Sequence, residues 1–121
     1  MKKLFIVSLL CSVGFIGSSY AQSHSISVHT DPSGEFVEQL LGLSVSVISH
    51  IDLTVDAVIY TPGSGAGAGI STTWGFLTAN AYTYYPYDNK FLSLSGSGSG
   101  GVSMAVWAQG DAWAEASFLI Y

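Results

Sequence analysis

Residues Leu43–Tyr60, LSVSVISHIDLTVDAVIY, alternate apolar and polar side chains with a period of two. The odd row reads Leu43, Val45, Val47, Ser49, Ile51, Leu53, Val55, Ala57, Ile59, and the even row includes Ser44, Ser46, His50, Asp52, Thr54 and Asp56. A strand sends successive side chains to opposite faces, so this pattern predicts one buried and one wet face. Eighteen residues at about 3.3 Å each would reach roughly 60 Å, well beyond a normal strand. A bend, or two strands meeting near Ser49–His50, is therefore expected. The rest of the chain must supply a second apolar layer to cover the odd row.

The opening MKKLFIVSLLCSVGFIGSSYAQ has the three parts of a secretory leader: basic Lys2 and Lys3, apolar Leu4–Ile16, and the small-x-small site Ser19-Tyr20-Ala21. Residues 1–21 are read as a signal peptide cut after Ala21, and residues 22–121 as a single secreted domain. The apolar run is shorter than a membrane span needs, and no later segment could span. Cys11 lies inside the apolar run with Leu10 before it, which does not fit a lipidation site.

Removing the leader takes Lys2 and Lys3 away and moves the net charge from −5 to −7, with Lys90 alone against eight acids. One cation cannot neutralise a phosphate backbone, so nucleic acid is excluded as a partner, and an anionic membrane surface is disfavoured. Cleavage also removes the only cysteine. Disulfides, thiolate metal sites and cysteine nucleophiles are then ruled out, and stability must come from a core.

Along the chain, His24–Thr30 reads as a short strand with Ile26 and Val28 on one face. Asp31–Gly42, DPSGEFVEQLLG, reads as a helix: Asp31 caps it, Pro32 fits its first turn, Gly42 closes it, and Phe36, Val37, Leu40 and Leu41 share a face. Thr61–Gly69, TPGSGAGAG, reads as a loop. It lacks the Lys-Ser/Thr and following helix that a phosphate cradle requires. Further strands are expected at Ile70–Thr78, Ala81–Tyr87, Phe91–Ser95, Val102–Ala108 and Ala112–Tyr121, with a Ser/Gly linker at Gly96–Gly101. Regular strands between Gly, Ser and Pro turns predict an all-β domain, an antiparallel β-sandwich or small barrel with one short helix near its N-terminus.

Catalytic readings fail on spacing. Asp52 and Asp56 lie about 13 Å apart on a strand, too far for a paired-carboxylate site of the retaining kind. His50 can reach Asp52, but nothing marks a serine for activation, so a solvated polar face is expected there. His24 and His29 fall on opposite faces and cannot share a metal. No metal, no cofactor and no enzymatic activity are predicted. An outer-membrane barrel is disfavoured, because Phe91–Ser95 is short and Glu115 would face lipid.

The aromatics are the candidate binding residues: Tyr82, Tyr84, Tyr85, Tyr87, Trp107 and Trp113. Both faces of the tyrosine-rich stretch cannot be buried, and exposed rings on a rigid scaffold stack on sugars or anchor partners. Trp74 and Trp107 are expected inside, with Tyr84, Tyr87 and Trp113 more exposed.

The segment Thr73–Tyr121 resembles the lactococcin 972 type of bacteriocin. The resemblance rests on Thr73-Trp74, Ala81-Tyr82-x-x-Tyr85, Lys90 and Ser93, Val106-Trp107-Ala108, and Glu115 with Ala116-Ser117-Phe118. It covers about half of residues 22–121. It implies a secreted, disulfide-free β-sandwich that binds the cell-wall precursor lipid II and stops septum building without catalysis. The expected function is accordingly bacteriocin-like, acting on an envelope component of competing bacteria. The alternatives are an extracellular module stacking glycans on Tyr84, Tyr85, Tyr87 and Trp113, or a protein that self-associates through open strand edges.

Overall fold

The computed structural model describes residues 22–33 and 35–121; the expected leader, with Cys11, lies outside the described residues. Eight strands follow one another: β1 (Gln22–Thr30), β2 (Val37–Val47), β3 (His50–Ile59), β4 (Gly65–Thr72), β5 (Phe76–Ala81), β6 (Tyr87–Ser95), β7 (Gly98–Gln109) and β8 (Ala112–Ile120). They form two four-stranded sheets, ordered β1-β8-β3-β6 and β2-β7-β4-β5, with every pairing antiparallel. Only β4 and β5 are consecutive neighbours within a sheet; every other connection crosses between sheets. This interleaved order is that of a jelly roll, a double-sheet sandwich. Two open sheets replace the barrel alternative.

The long alternating stretch is divided where its odd row falters. β2 ends at Val47 and β3 begins at His50. The backbone N–H groups of Ile48 and Ser49, left without a ladder, donate to the Tyr121 carbonyl at 3.0 and 2.9 Å. Beyond the break Ile51, Leu53, Val55, Ala57 and Ile59 all point inward and are buried. The even row of β8 faces the same core with Ala112, Ala114, Ala116, Phe118 and Ile120. From the other sheet come Val45, Val47, Ile70, Val102, Met104 and Val106. Removing the side chain of the fully buried Leu53 would cost about 2–5 kcal/mol in transfer and cavity terms.

The core is graded along the strands. Alanines 57, 66, 68, 79, 81, 108, 112 and 114 fill one end, where β3 finishes and β8 starts; Ile51, Leu53, Met104, Phe118 and Ile120 fill the other. Small side chains let two sheets approach, and bulky ones hold them apart, so close packing requires each end to be matched across the layers.

Five expectations are corrected, two of them briefly: Ala81–Tyr87 is not a strand but the end of β5 and a turn before β6, and from Gly98 the expected Gly96–Gly101 linker belongs to β7. Of the other three, the first is Asp31–Gly42, which is not a helix: the Asp31 carboxylate accepts from Ser33 N–H at 3.0 Å in a turn, and Val37 onward pairs with β7. Over so short a window Val37, Gln39, Leu41 and Leu43 also fit a period of two, and eleven residues in register with β7 outweigh a marginal short helix. The second correction concerns Thr61–Gly69, of which Gly65 onward is strand β4, held between β5 and β7. The third is that Ile70–Thr78 is interrupted. Thr72 turns the chain there, its Oγ1 accepting from the N–H groups of Trp74 and Gly75 at 2.9 Å each.

Candidate functional site

One end of the sandwich gathers most of the candidate aromatics. β5 and β6 are joined by a tip in which Tyr82 and Tyr85 exchange backbone hydrogen bonds of 3.0 and 2.9 Å, their rings 6.3 Å apart. Pro86 follows, and its carbonyl accepts from Ile59 N–H at 2.9 Å. Thr83 Oγ1 receives Gly63 N–H at 2.9 Å, tying the tip to the β3–β4 loop. Tyr84, at the apex, is 91% exposed, and Tyr60, Tyr82, Tyr85 and Tyr87 are each at least half exposed. A tyrosine has few rotatable bonds and a large amphipathic ring, so a backbone-pinned cluster offers contact area at low entropic cost.

Register extends this end onto the outer face of the β1-β8-β3-β6 sheet. His29, Trp113, Val58 and Tyr87 form one rung across the four strands. Trp113 and Tyr87 therefore share a face with Val58 between them. Trp107 does not join them. Val106 and Ala108 are buried, which sends Trp107 to the outer face of the opposite sheet, against the expectation that it lies inside. There its indole lies over β4, where a Cβ on Gly67 would come within 2.8 Å of Trp107 Cε2, and it stacks on Phe36 at 6.1 Å. The glycine face of β4 exists to seat this ring, so only a residue without a side chain fits opposite. Trp74, expected inside, is half-buried against the core, and Trp113, expected more exposed, is half-buried like Trp107.

The remaining outer face of the β1-β8-β3-β6 sheet is polar. Successive rungs read Ser27–Glu115–Asp56–Asn89, Ser25–Ser117–Thr54–Phe91 and Ser23–Leu119–Asp52–Ser93. Ser93 Oγ donates to Asp52 at 2.6 Å, and Asn89 Nδ2 donates to Asp56. His50 Nε2 lies 3.9 Å from Asp52, so the contact expected from sequence is made, on a solvated face. Partial burial, and then the facing Asp56 charge, raise the Glu115 carboxyl above its usual range. Desolvation and a hydrogen bond to Asp52 raise the Tyr121 phenol in the same way. The Tyr121 ring is itself stacked on His50 at 4.0 Å. His24 and His29 point to opposite sides, His24 against Phe118 and His29 toward Tyr60.

The opposite outer face holds an apolar trough of about 580 Å³ with a floor of Gly42, Gly69, Ser71, Ser103 and Ala105 and walls of Leu40 and Phe76. The trough is not legible in the sequence, and the pattern predicts a polar face only around His50, Asp52 and Asp56, not across four strands. Each joins strands far apart in the chain, and the only further signal is strand parity in Gly65–Thr72 and Ala112–Ile120.

Among the described residues no group of three His, Cys, Asp or Glu is placed to hold a metal, and no helix is long and apolar enough to cross a membrane. No family model matches the chain, and no curated protein matches it. Among solved structures it is similar to a chain from the 2.6 Å structure of infectious bursal virus derived T=1 particles, at 11% identity and a TM-score of 0.24. The match covers 98% of this chain and 44% of that one, and a likeness at that level carries no argument about fold or function.

Proposed function

We propose that the protein is a secreted, non-catalytic recognition module that docks on a glycan of a cell envelope or matrix through its tyrosine-rich end. The observation that carries this reading is the Tyr82–Tyr85 tip. Four tyrosines of one short segment stand in solvent on a backbone fixed by reciprocal hydrogen bonds. Exposed apolar rings grouped this densely mark contact surfaces more often than chance decoration. Sugar rings present apolar C–H faces to aromatic planes and hydroxyls to phenols, and both features are offered together here.

The bacteriocin-like action implied by the resemblance to the lactococcin 972 type is one consequence of such docking, when the envelope belongs to a competitor. Two of the residues that carry the resemblance, Tyr82 and Tyr85, form the tip itself. The test is retention of purified 22–121 on insoluble cell-wall and polysaccharide preparations, beside a Tyr84→Ala/Tyr85→Ala double variant. Loss of two central aromatic contacts is expected to weaken retention by about 2 kcal/mol or more, roughly thirtyfold. Equal retention of the double variant would reject the tyrosine end as the contact. Growth inhibition of related bacteria by the same proteins separates killing from plain adhesion.

A further inference from the structure

The outer face of the β1-β8-β3-β6 sheet holds a concavity of about 640 Å³, away from the tyrosine tip, whose lining includes Asp52, Thr54, Phe91, Glu115, Ser117 and Tyr121. We propose that this groove is a second binding site, one that takes an uncharged linear saccharide. The inference belongs with the glycan reading above but does not depend on the tyrosine end.

Three features of the groove agree on that ligand. Its size falls in the range of small-molecule sites, and its lining is mostly polar, with Phe91, Phe118 and Leu119 as its apolar members. Its polar groups are acceptors and hydroxyls. Glu115 makes no hydrogen bond or ion pair among the described residues, and Asp52, receiving Ser93 Oγ and the Tyr121 phenol, still has lone pairs to offer. A ligand rich in hydroxyl donors satisfies such a row, whereas an anionic ligand would meet three like charges at Asp52, Asp56 and Glu115. The walls are aromatic: Phe91 stands 62% exposed on β6, and Tyr121 is held in place by its stack on His50. Two rings, Phe91 and Tyr121, beside a polar floor suit a flat ligand that is apolar on its faces and polar on its rim.

The face also has direction. From the His50 level to the Val58–Trp113 rung is eight residues, about 27 Å along the strands. Aromatic residues mark both ends, Tyr121 and His50 at one and Trp113 and Tyr87 at the other, with hydroxyls and carboxylates between. A chain of several sugar rings lying along the strands would meet aromatic, polar and again aromatic surface.

The test is calorimetric titration of residues 22–121 with cellohexaose, xylohexaose, maltohexaose and N-acetylated chitohexaose, and with cationic hexaglucosamine as a control. Variants Glu115→Gln, Asp52→Asn and Phe91→Ala alter the groove, and Tyr84→Ala/Tyr85→Ala alters the tip. All five positions lie on the outer face or the tip, and unchanged melting temperature establishes that each variant folds. Expected is binding of at least one uncharged hexasaccharide, weakened tenfold or more by Glu115→Gln and by Phe91→Ala and unaffected by the tip variant. Binding that survives the groove variants, or no binding of any uncharged hexasaccharide, overturns the proposal. So does binding of hexaglucosamine alone that vanishes in salt, which would leave the face an acidic patch only. Retention on insoluble glycan lost in the tip variant, with no groove-dependent binding, would leave the tyrosine end standing and remove the groove. The reverse pattern would remove the tyrosine end and keep the groove.

Discussion

The two sheets are built alike, four strands each with alternate residues turned to the other sheet, yet their outer faces differ in chemistry. On the β1-β8-β3-β6 sheet the outward rows between the aromatic ends are mainly Ser, Thr, Asp, Glu and Asn, linked by hydrogen bonds such as Ser93 to Asp52. On the β2-β7-β4-β5 sheet they are Gly, Ala and Ser, with Leu40, Phe76 and Trp107 rising from an otherwise flat floor. The first face joins its side chains by exposed hydrogen bonds, and changing one loses little. The second is packed, because a large ring lies directly on a glycine backbone. Side-chain size thus separates a face that is decorated from one that is fitted.

Substitutions should expose that difference in order of size. Gly67→Val is expected to cost most, about 2–3 kcal/mol, since its side chain must displace the Trp107 indole. Adding Trp107→Ala should recover part of that loss, and urea unfolding of the two single variants and the double variant measures the coupling. Phe36→Ala, which removes only the stacked ring, is expected to cost about 1 kcal/mol by the same measurement. Thr54→Ser on the polar face should stay within about 0.5 kcal/mol, and a larger loss there would erase the contrast between faces.

The smallest effect carries a sign. Glu115 has its carboxyl raised, by burial and by Asp56, so the folded state holds this proton more tightly than the unfolded chain does. Its favourable contribution is present in acid and is lost as pH rises through the raised value. Glu115→Gln is therefore expected to stabilise the protein at neutral pH, by less than about 1 kcal/mol because the group is largely solvated. That gain should vanish below the ordinary carboxylate range. Thermal unfolding of both proteins across pH checks it, and a gain that grows in acid would show the charge to be favourable instead.

What could be read in the sequence follows from where each decision is made. The odd row from Leu43 to Ile59, and the break at Ser49, follow from local alternation, and both stand in the fold. The segment from Val37 to Leu43 fits two periods, and only its pairing with β7, some sixty residues later, selects the strand. Gly65–Gly69 resembled a loop because glycine has low strand propensity; the Trp107 ring over Gly67 supplies the reason for glycine there. The exposed tyrosines were legible because four rings in one short segment exceed what a single buried face can take. The groove was not, because Ser23, Asp52, Phe91 and Glu115 meet only through the register of four strands.

The pairing of β1 with β8 has a consequence in time as well as in space. Gln22 lies opposite Ile120 and Thr30 opposite Ala112, so the first strand finds its neighbour only when the last has been made. β3 also waits, since it sits between β8 and β6. Closing such long loops is entropically slow, and topologies dominated by distant pairings fold in milliseconds to seconds. A growing chain of this kind has only one local hairpin, β4 with β5, to form early. Until β8 is made, the β1-β8-β3-β6 sheet cannot close around its two central strands.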